Sequence, residues 1–250
     1  MGLITNLIKV SSIVIAMADL GVDETMPILK KRRLSTGIAD LDLIMEGGYP
    51  TPANIVLIGP SGMEKATFSY HFAAAAGADE NAYIVCGNAS AKDIISKAST
   101  MGLDLSRAHF IDCYSATLGK PPAPSENVTV VDGPSALNDI SLALNEAIRT
   151  SQGKKMRVVF DTLSTFVLYN SKDSMRKFLS VIEGRLKSAG ATTMYLIDEG
   201  VHDKQLLSLL EAGMDSKYEL AEMKGKFMLT LPSVSMEIPL RIGPAGITIL

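Results

Sequence analysis

The sequence has few of the residues that build disulfide frameworks and metal sites. Its 250 residues include two cysteines and three histidines. Cys86 and Cys113 each close an apolar run, which is typical of small buried side chains in a reducing compartment. His71, His109 and His202 lack the spacing of a zinc site. We therefore predict a cytoplasmic protein with neither a disulfide nor a bound metal.

An excess of positive charge is also missing. The formal net charge is -3 and charged residues make up 20% of the chain, so no broad field draws the protein onto a polyanion. The single basic cluster, "KKRR" at 30–33, is typical of a solvated hinge. Nucleic acid is therefore not an expected partner.

The chain lacks an uninterrupted apolar run of membrane-spanning length. Residues 1–25 carry an apolar helical stripe, but Asn6 and Lys9 interrupt a stretch that would need about 20 apolar residues. We expect 1–33 to be an amphipathic extension outside the membrane. It packs on the domain, contacts a second subunit, or precedes an internal start such as Met26, and the sequence leaves these alternatives open.

Strands and helices alternate through the rest of the chain. Short continuous apolar runs are typical of strands covered on both faces. They lie at 53–59, 81–87, 108–114, 156–161 and 192–198. Helical spacing appears at 137–148 and 175–186, which predicts an α/β fold with a mostly parallel sheet and right-handed crossovers.

The end of the chain has a different pattern. After Gly213 the apolar runs are short and divided by Gly, Pro and Lys, which predicts antiparallel strands at one edge of the sheet. The proline-rich stretch 119–127 is expected to be a surface loop. We place a single domain at 34–250.

The stretch "GPSGMEKATF" at 59–68 lies between a strand and a helix and resembles a phosphate-binding loop. A working loop reads GxxxxGK[ST], in which backbone N–H groups and the lysine hold phosphates and the hydroxyl holds magnesium. Here Gly59 and Lys65 match that pattern. The candidate nucleotide-binding residues are Gly59, Pro60, Ser61, Gly62, Met63, Glu64, Lys65, Ala66, Thr67 and Asp161.

Two positions of this loop carry the wrong chemistry. Glu64 replaces the second glycine, and a carboxylate about 4 Å from a phosphate charge costs roughly 4 kcal/mol at an effective dielectric near 20. Ala66 replaces the magnesium-binding hydroxyl, and Thr67 is one residue late. ATP remains the candidate cofactor, with weak or no dependence on Mg²⁺. The alternative is a plain strand-to-helix turn whose Lys65 is solvated or paired with an acid such as Asp161.

With these motifs in order, residues from about 34 to the end resemble the KaiC-like ATPases of the RecA superfamily, a group well represented among archaea. The resemblance is carried by these stretches in order: "RLSTGIADLDLIMEGGYP", the phosphate loop, "MGLDL" with "FIDCYS", and "RVVFDTLSTFVLY". It implies a RecA-like P-loop NTPase fold, with Asp161 as the magnesium-associated aspartate and ATP hydrolysed between subunits in active members.

The resemblance also marks departures from the family pattern. Gly87 and Asn88 stand where members commonly carry two glutamates that activate water. Pro232 and Ser233 stand where a basic turn reaches the neighbour's nucleotide, and only Arg241 lies nearby. We therefore expect no catalytic residues and a largely inactive site.

Three functions remain open at this point. The favoured hypothesis is a regulatory module that binds another protein, or its own copies through a RecA-like interface or the N-terminal segment. The first alternative is a slow ATPase or ATP-gated switch that uses Lys65 and Asp161. The second is an accessory factor in DNA recombination or repair. Asp198 and Glu199, which close the last core strand, are a weaker candidate for a new acid-base pair.

Overall fold

The computed structural model of the protein describes residues 32–119, 125–231 and 235–250. The predicted helix at 1–25, most of the proline-rich loop and the Pro232–Ser233 turn lie outside these residues. Within them, Arg32–Leu250 form a compact unit, and no helix is long and apolar enough to cross a membrane.

The elements follow one another in the predicted alternation. In chain order they are β1 (Arg33–Leu34), α1 (Ala39–Ile44), β2 (Tyr49–Pro50), β3 (Ala53–Gly59), α2 (Met63–Ala74), β4 (Glu80–Cys86), α3 (Ala91–Thr100), β5 (His109–Asp112), a 3₁₀ turn (Ser115–Leu118), β6 (Val128–Val130), α4 (Leu137–Thr150), β7 (Lys155–Asp161), α5 (Leu163–Tyr169), α6 (Lys172–Ser188), β8 (Ala191–Asp198), α7 (Lys204–Glu211), β9 (Ser216–Met223), β10 (Lys226–Leu231), β11 (Met236–Gly243) and β12 (Gly246–Ile249). The strands and helices read from the apolar runs are thereby confirmed.

The described strands form a ten-stranded sheet beside the small β1–β2 pair. Its order is β12-β11-β10-β9-β3-β8-β7-β4-β5-β6. The strands from β9 to β6 in this order run parallel, whereas β10, β11 and β12 add antiparallel to the β9 edge. The predicted mostly parallel sheet with an antiparallel C-terminal edge is confirmed.

Both faces of the central strands are buried, as continuous apolar runs require. On β3, Ile55 and Leu57 pack in one core with α2 and α3, while Val56 and Ile58 pack in the other with α4 to α7. Cys86 and Cys113 are buried free thiols in these two cores. Helices therefore cover both sides of the sheet, and polar groups converge where the strands end.

One buried charge joins distant parts of the chain. The Arg157 guanidinium, at the start of β7, donates to the Glu80 carboxylate at 2.6 Å. It also donates to the carbonyl oxygens of Ser35 at 2.7 Å and Phe72 at 2.9 Å. Because these partners complete its hydrogen bonding, the guanidinium is held inside the protein at 2% exposure.

Candidate functional site

The phosphate-loop segment lies between a strand and a helix, as predicted, at the carboxyl edge of the sheet. Residues 60–62 connect β3 to α2, and Gly59, the last residue of β3, lies in register with Asp198 of the adjacent β8. A Cβ on Gly59 would lie 3.0 Å from the Leu220 side chain and 3.2 Å from the Leu220 carbonyl oxygen. Glycine is therefore needed here because β9 passes close to the loop.

Lys65 is buried and its charge is already compensated. Its ammonium group donates to the Pro60 carbonyl oxygen at 2.9 Å and forms an ion pair with Asp198. The lysine side chain is 3% exposed, so this pairing takes place largely out of water. The turn hypothesis had Lys65 solvated or paired with an acid such as Asp161; the acid is Asp198, because the parallel pairing of β3 with β8 brings Asp198 to the lysine.

Asp161 ends β7 in a buried position beside this pair. Burial raises the pKa of Asp161 to about 6, although the nearby Lys65 and Lys97 lower it and Asp198 raises it further. The carboxyl group therefore gains a proton far more readily than an ordinary aspartate does. Thr67 is also buried, while the Ala66 position presents only a methyl group.

Glu64 folds back over the loop. It belongs to the first turn of α2, and its carboxylate lies directly against Gly62, where any side chain on that glycine would meet it. Gly62 has a φ of 155°, a conformation that suits glycine. The α2 N-terminus, whose N–H groups attract anions, thus has a carboxylate from its own chain beside it.

The position expected to hold the first water-activating glutamate is closed. Gly87 follows β4, and its N–H donates to the Asp161 carbonyl oxygen at 2.7 Å. A Cβ on Gly87 would lie 2.9 Å from the Phe166 ring and 3.2 Å from the Thr162 carbonyl oxygen. Phe166 is fully buried and packs edge-on against Phe160, so a Cβ on Gly87 would have to displace a core side chain. Asn88, next along the chain, is exposed.

A hydrogen-bonded chain that the sequence analysis missed supports Asp198. The Asp198 N–H donates to the Ser164 hydroxyl at 2.8 Å, and His202 Nε2 lies 2.8 Å from the same hydroxyl. The His202 pKa is lowered by burial, against the influence of Asp198 and Asp203. The Asp198 backbone is therefore anchored beside Lys65, while Glu199, the other member of the candidate acid-base pair, is exposed. Isolated Ser and His residues gave no sequence signal for this contact.

The remaining candidates do not join the site. Arg241 is an exposed residue of the antiparallel strand β11, opposite Thr248 of β12. In the part of the chain that the structure describes, no group of three or more His, Cys, Asp or Glu side chains is placed to hold a metal ion. The residues brought together are thus the loop, Lys65, Asp161 and Asp198.

Comparison with protein families gives a match over most of the chain. A family model described as the KaiC ATPase matches residues 34–242. A circadian clock oscillator protein KaiC of Prochlorococcus marinus is 25% identical over 247 residues, covering 88% of this chain and 46% of that protein. KaiC of Parasynechococcus marenigrum is 28% identical over 169 residues, covering 66% of this chain and 32% of that protein. The chain thus spans less than half the length of these relatives.

A solved structure has the same architecture. A KaiC-like protein from the hyperthermophilic archaeon Pyrococcus horikoshii OT3 matches with a TM-score of 0.67 at 20% identity, covering 88% of this chain and 99% of that one. At this identity the likeness shows the fold alone, and it confirms the RecA-like α/β fold.

Proposed function

The chain belongs to the KaiC family of ATPases, and from that premise we propose that it keeps the family fold as a regulatory, protein-binding module that does not hydrolyse ATP. The observation that carries this proposal is the use of the chain's own carboxylates at the phosphate site. Asp198 pairs with Lys65, and Glu64 lies at the N-terminus of α2.

A phosphate group would have to compete with both carboxylates. Lys65 and the α2 N-terminus are the two positive features of a phosphate loop, and each already has a negative partner. Breaking a buried ion pair leaves a charge without compensation, which typically costs about 3–5 kcal/mol. Nucleotide binding therefore starts with a penalty that a working loop does not have.

The rest of the site does not fit Mg-ATP either. Ala66 offers no oxygen to a metal that requires near-octahedral oxygen ligands. The packing of Phe166 and the Thr162 carbonyl around Gly87 leaves no room for a side chain that would activate water. Binding, metal ligation and water activation are thus each impaired, which supports a non-catalytic function.

A slow ATPase or ATP-gated switch is the second candidate. Its support is the retained group of Lys65, Thr67 and Asp161, all buried at the same edge of the sheet. In this alternative ATP displaces Asp198 from Lys65 and the change is transmitted through Ser164 and His202.

Steady-state ATP hydrolysis by the full chain, with isothermal titration of ATP, separates the two candidates. The proposal expects no turnover above a buffer blank and a dissociation constant above about 1 mM, that is, less than about 4 kcal/mol of binding free energy. Turnover that disappears in Lys65→Ala and persists in the exposed-site control Lys204→Ala would establish the ATPase instead. Micromolar ATP binding without turnover would favour the switch.

The DNA-associated alternative rests on fold analogy alone. A mobility-shift titration with single-stranded DNA at low salt tests it, and we expect no shift. A shift that weakens as salt is raised would support that alternative.

A further inference from the structure

A long groove runs between α4 and α6, on the face of the sheet opposite α2 and α3. Two cavities of about 700 and 600 Å³ lie along it and adjoin at Val181 and Arg185. The groove's lining positions on α6 run from Ser174 to Ser188. At 1.5 Å per residue this length is about 21 Å, which matches a helix of about 15 residues.

Apolar side chains form part of the groove surface, beside polar ones such as Ser141 and Ser174. Phe178 lies at its base with 6% of its surface exposed, and Val181 is 45% exposed beside it. Leu137 and Ile148, near the two ends of α4, are partly buried and complete the apolar surface. A ligand with an apolar stripe would remove this surface from water, which is the main source of affinity in helix-in-groove complexes.

Positive charge flanks these apolar side chains. Lys177 and Arg185 both line the groove, and neither has a carboxylate within 4.0 Å among the described residues. Arg185 instead donates to the Asn145 side-chain oxygen of α4 at 3.3 Å. Among the described residues, Asp139 is the one acidic side chain that lines the cavity.

Other cations on the same helix are used differently. Lys172 pairs with Asp203 at 2.7 Å, Lys187 pairs with Asp215 at 2.5 Å, and both lie outside the groove. The α4 N-terminus, which opens into the first cavity, has no side-chain cap from Ala136 and adds further positive character. With Lys177, Arg185 and Asp139, the described lining of the groove carries a small excess of positive charge on a protein whose net charge is -3.

We propose that the α4–α6 groove binds an amphipathic helix of another protein, one whose apolar stripe is flanked by carboxylates. The apolar stripe packs on Phe178 and Val181, while the carboxylates pair with Lys177 and Arg185. This inference rests on the proposed protein-binding function and assigns it a surface and a class of partner.

The test uses a fluorescein-labelled peptide of about 16 residues that repeats Glu-Glu-Leu-Leu, with fluorescence anisotropy of the full-length protein as the readout. We expect saturable binding that weakens as salt is raised, and no binding of the matching Lys-Lys-Leu-Leu peptide. The double variant Lys177→Glu, Arg185→Glu should bind about tenfold more weakly, since two exposed attractions become repulsions.

The control is Arg176→Glu, one charge reversal on the same helix outside the groove, and it is matched to Lys177→Glu alone, which makes the same single reversal inside the groove. We expect the affinity of Arg176→Glu to stay within about twofold of wild type. Circular dichroism establishes that all variants fold. Val181→Ser, at a largely exposed position, should weaken binding with no change in net charge.

Three outcomes of the peptide assay would overturn the inference: no binding of the acidic peptide, undiminished binding by the double variant, or a loss of affinity in Arg176→Glu as large as that in Lys177→Glu. The inference would also be overturned if the wild type were an oligomer that binds no peptide and the double variant were a monomer. The groove would then be a contact between copies of this chain. ATP turnover in the same preparations is measured separately, so failure of the proposed function is distinguishable from failure of the groove.

Discussion

Positive charges are buried and paired at the strand ends but exposed in the α4–α6 groove. At the strand ends Lys65 is buried and paired with Asp198. In the groove, Lys177 and Arg185 reach the surface with no carboxylate partner among the described residues. Both regions are built from residues of the same sheet and its covering helices.

The difference indicates which surface is available to a ligand. A charge paired inside the protein is part of the fold, and a competing anion has to replace that partner. A charge left in water beside apolar side chains needs no such replacement, and it can add specificity and association rate. In the proposed function the family's phosphate site is thus closed by the chain's own side chains, whereas a different face of the molecule is open.

The largest expected effect comes from removing the two internal carboxylates. Glu64→Gln with Asp198→Asn should raise ATP affinity, measured by titration without magnesium, by about a hundredfold or more. One like-charge repulsion at about 4 Å is worth roughly 4 kcal/mol at an effective dielectric near 20, and each 1.4 kcal/mol is tenfold. Affinity of the groove for the acidic peptide should not change.

Glu199→Gln is the control for this pair, because it removes an exposed charge next to Asp198. Glu64→Gln alone leaves the buried ion pair intact and guards against misfolding of the double variant. If ATP affinity is the same in all these proteins, the internal carboxylates do not close the site and the comparison fails.

A smaller effect is expected from adding a methyl group at the closed position. Gly87→Ala places a Cβ against Phe166 and should lower the free energy of unfolding by about 1–3 kcal/mol, measured in urea. In a protein that already carries Phe166→Leu, Gly87→Ala should lower the free energy of unfolding by less than it does in the wild type. Gly184→Ala, in the groove helix, meets nothing within 4 Å and should stabilise by up to about 1 kcal/mol. Equal effects at the two glycines would contradict the close packing described at the site.

A pH-dependent effect is expected on the inner side of the groove helix. Glu183 of α6 lies directly against Gly213, and burial, with a contribution from Asp215, raises its pKa to about 7. The folded state therefore holds a proton that the unfolded chain releases near pH 4.5, so stability falls as pH rises from about 4.5 to 7. Glu183→Gln should flatten this slope in urea unfolding series at several pH values. An unchanged slope would mean that Glu183 is not the titrating group.

Much of the architecture was predictable because the central strands are covered on both faces. A continuous apolar run such as 53–59 has few alternatives to a buried parallel strand. Strand β6 was not predicted, since its three residues are only partly buried or exposed at the sheet edge. Strand β9 lies in the predicted C-terminal segment, but it pairs parallel to β3 because α7 carries the chain back along the sheet.

The position of the site could be predicted from the sequence, but only some of the contacts within it could. The loop, Lys65 and Asp161 lie at one edge because parallel strands end there together. The partner of Lys65 depends on which strand adjoins β3, and the sequence pattern does not contain that order. The contact between Ser164 and His202 depends on the same order, as does the approach of Phe166 to Gly87.

The buried guanidinium of Arg157 has a consequence for how the protein opens. It joins the segment around Ser35, the end of α2, the start of β4 and the start of β7 through hydrogen bonds and one ion pair. Detaching any one of these segments would leave a charge without its full set of partners in the protein interior. The segment around Ser35, between β1 and α1, is therefore part of the cooperative unit, and we expect it to unfold together with the central sheet and not as a separate arm.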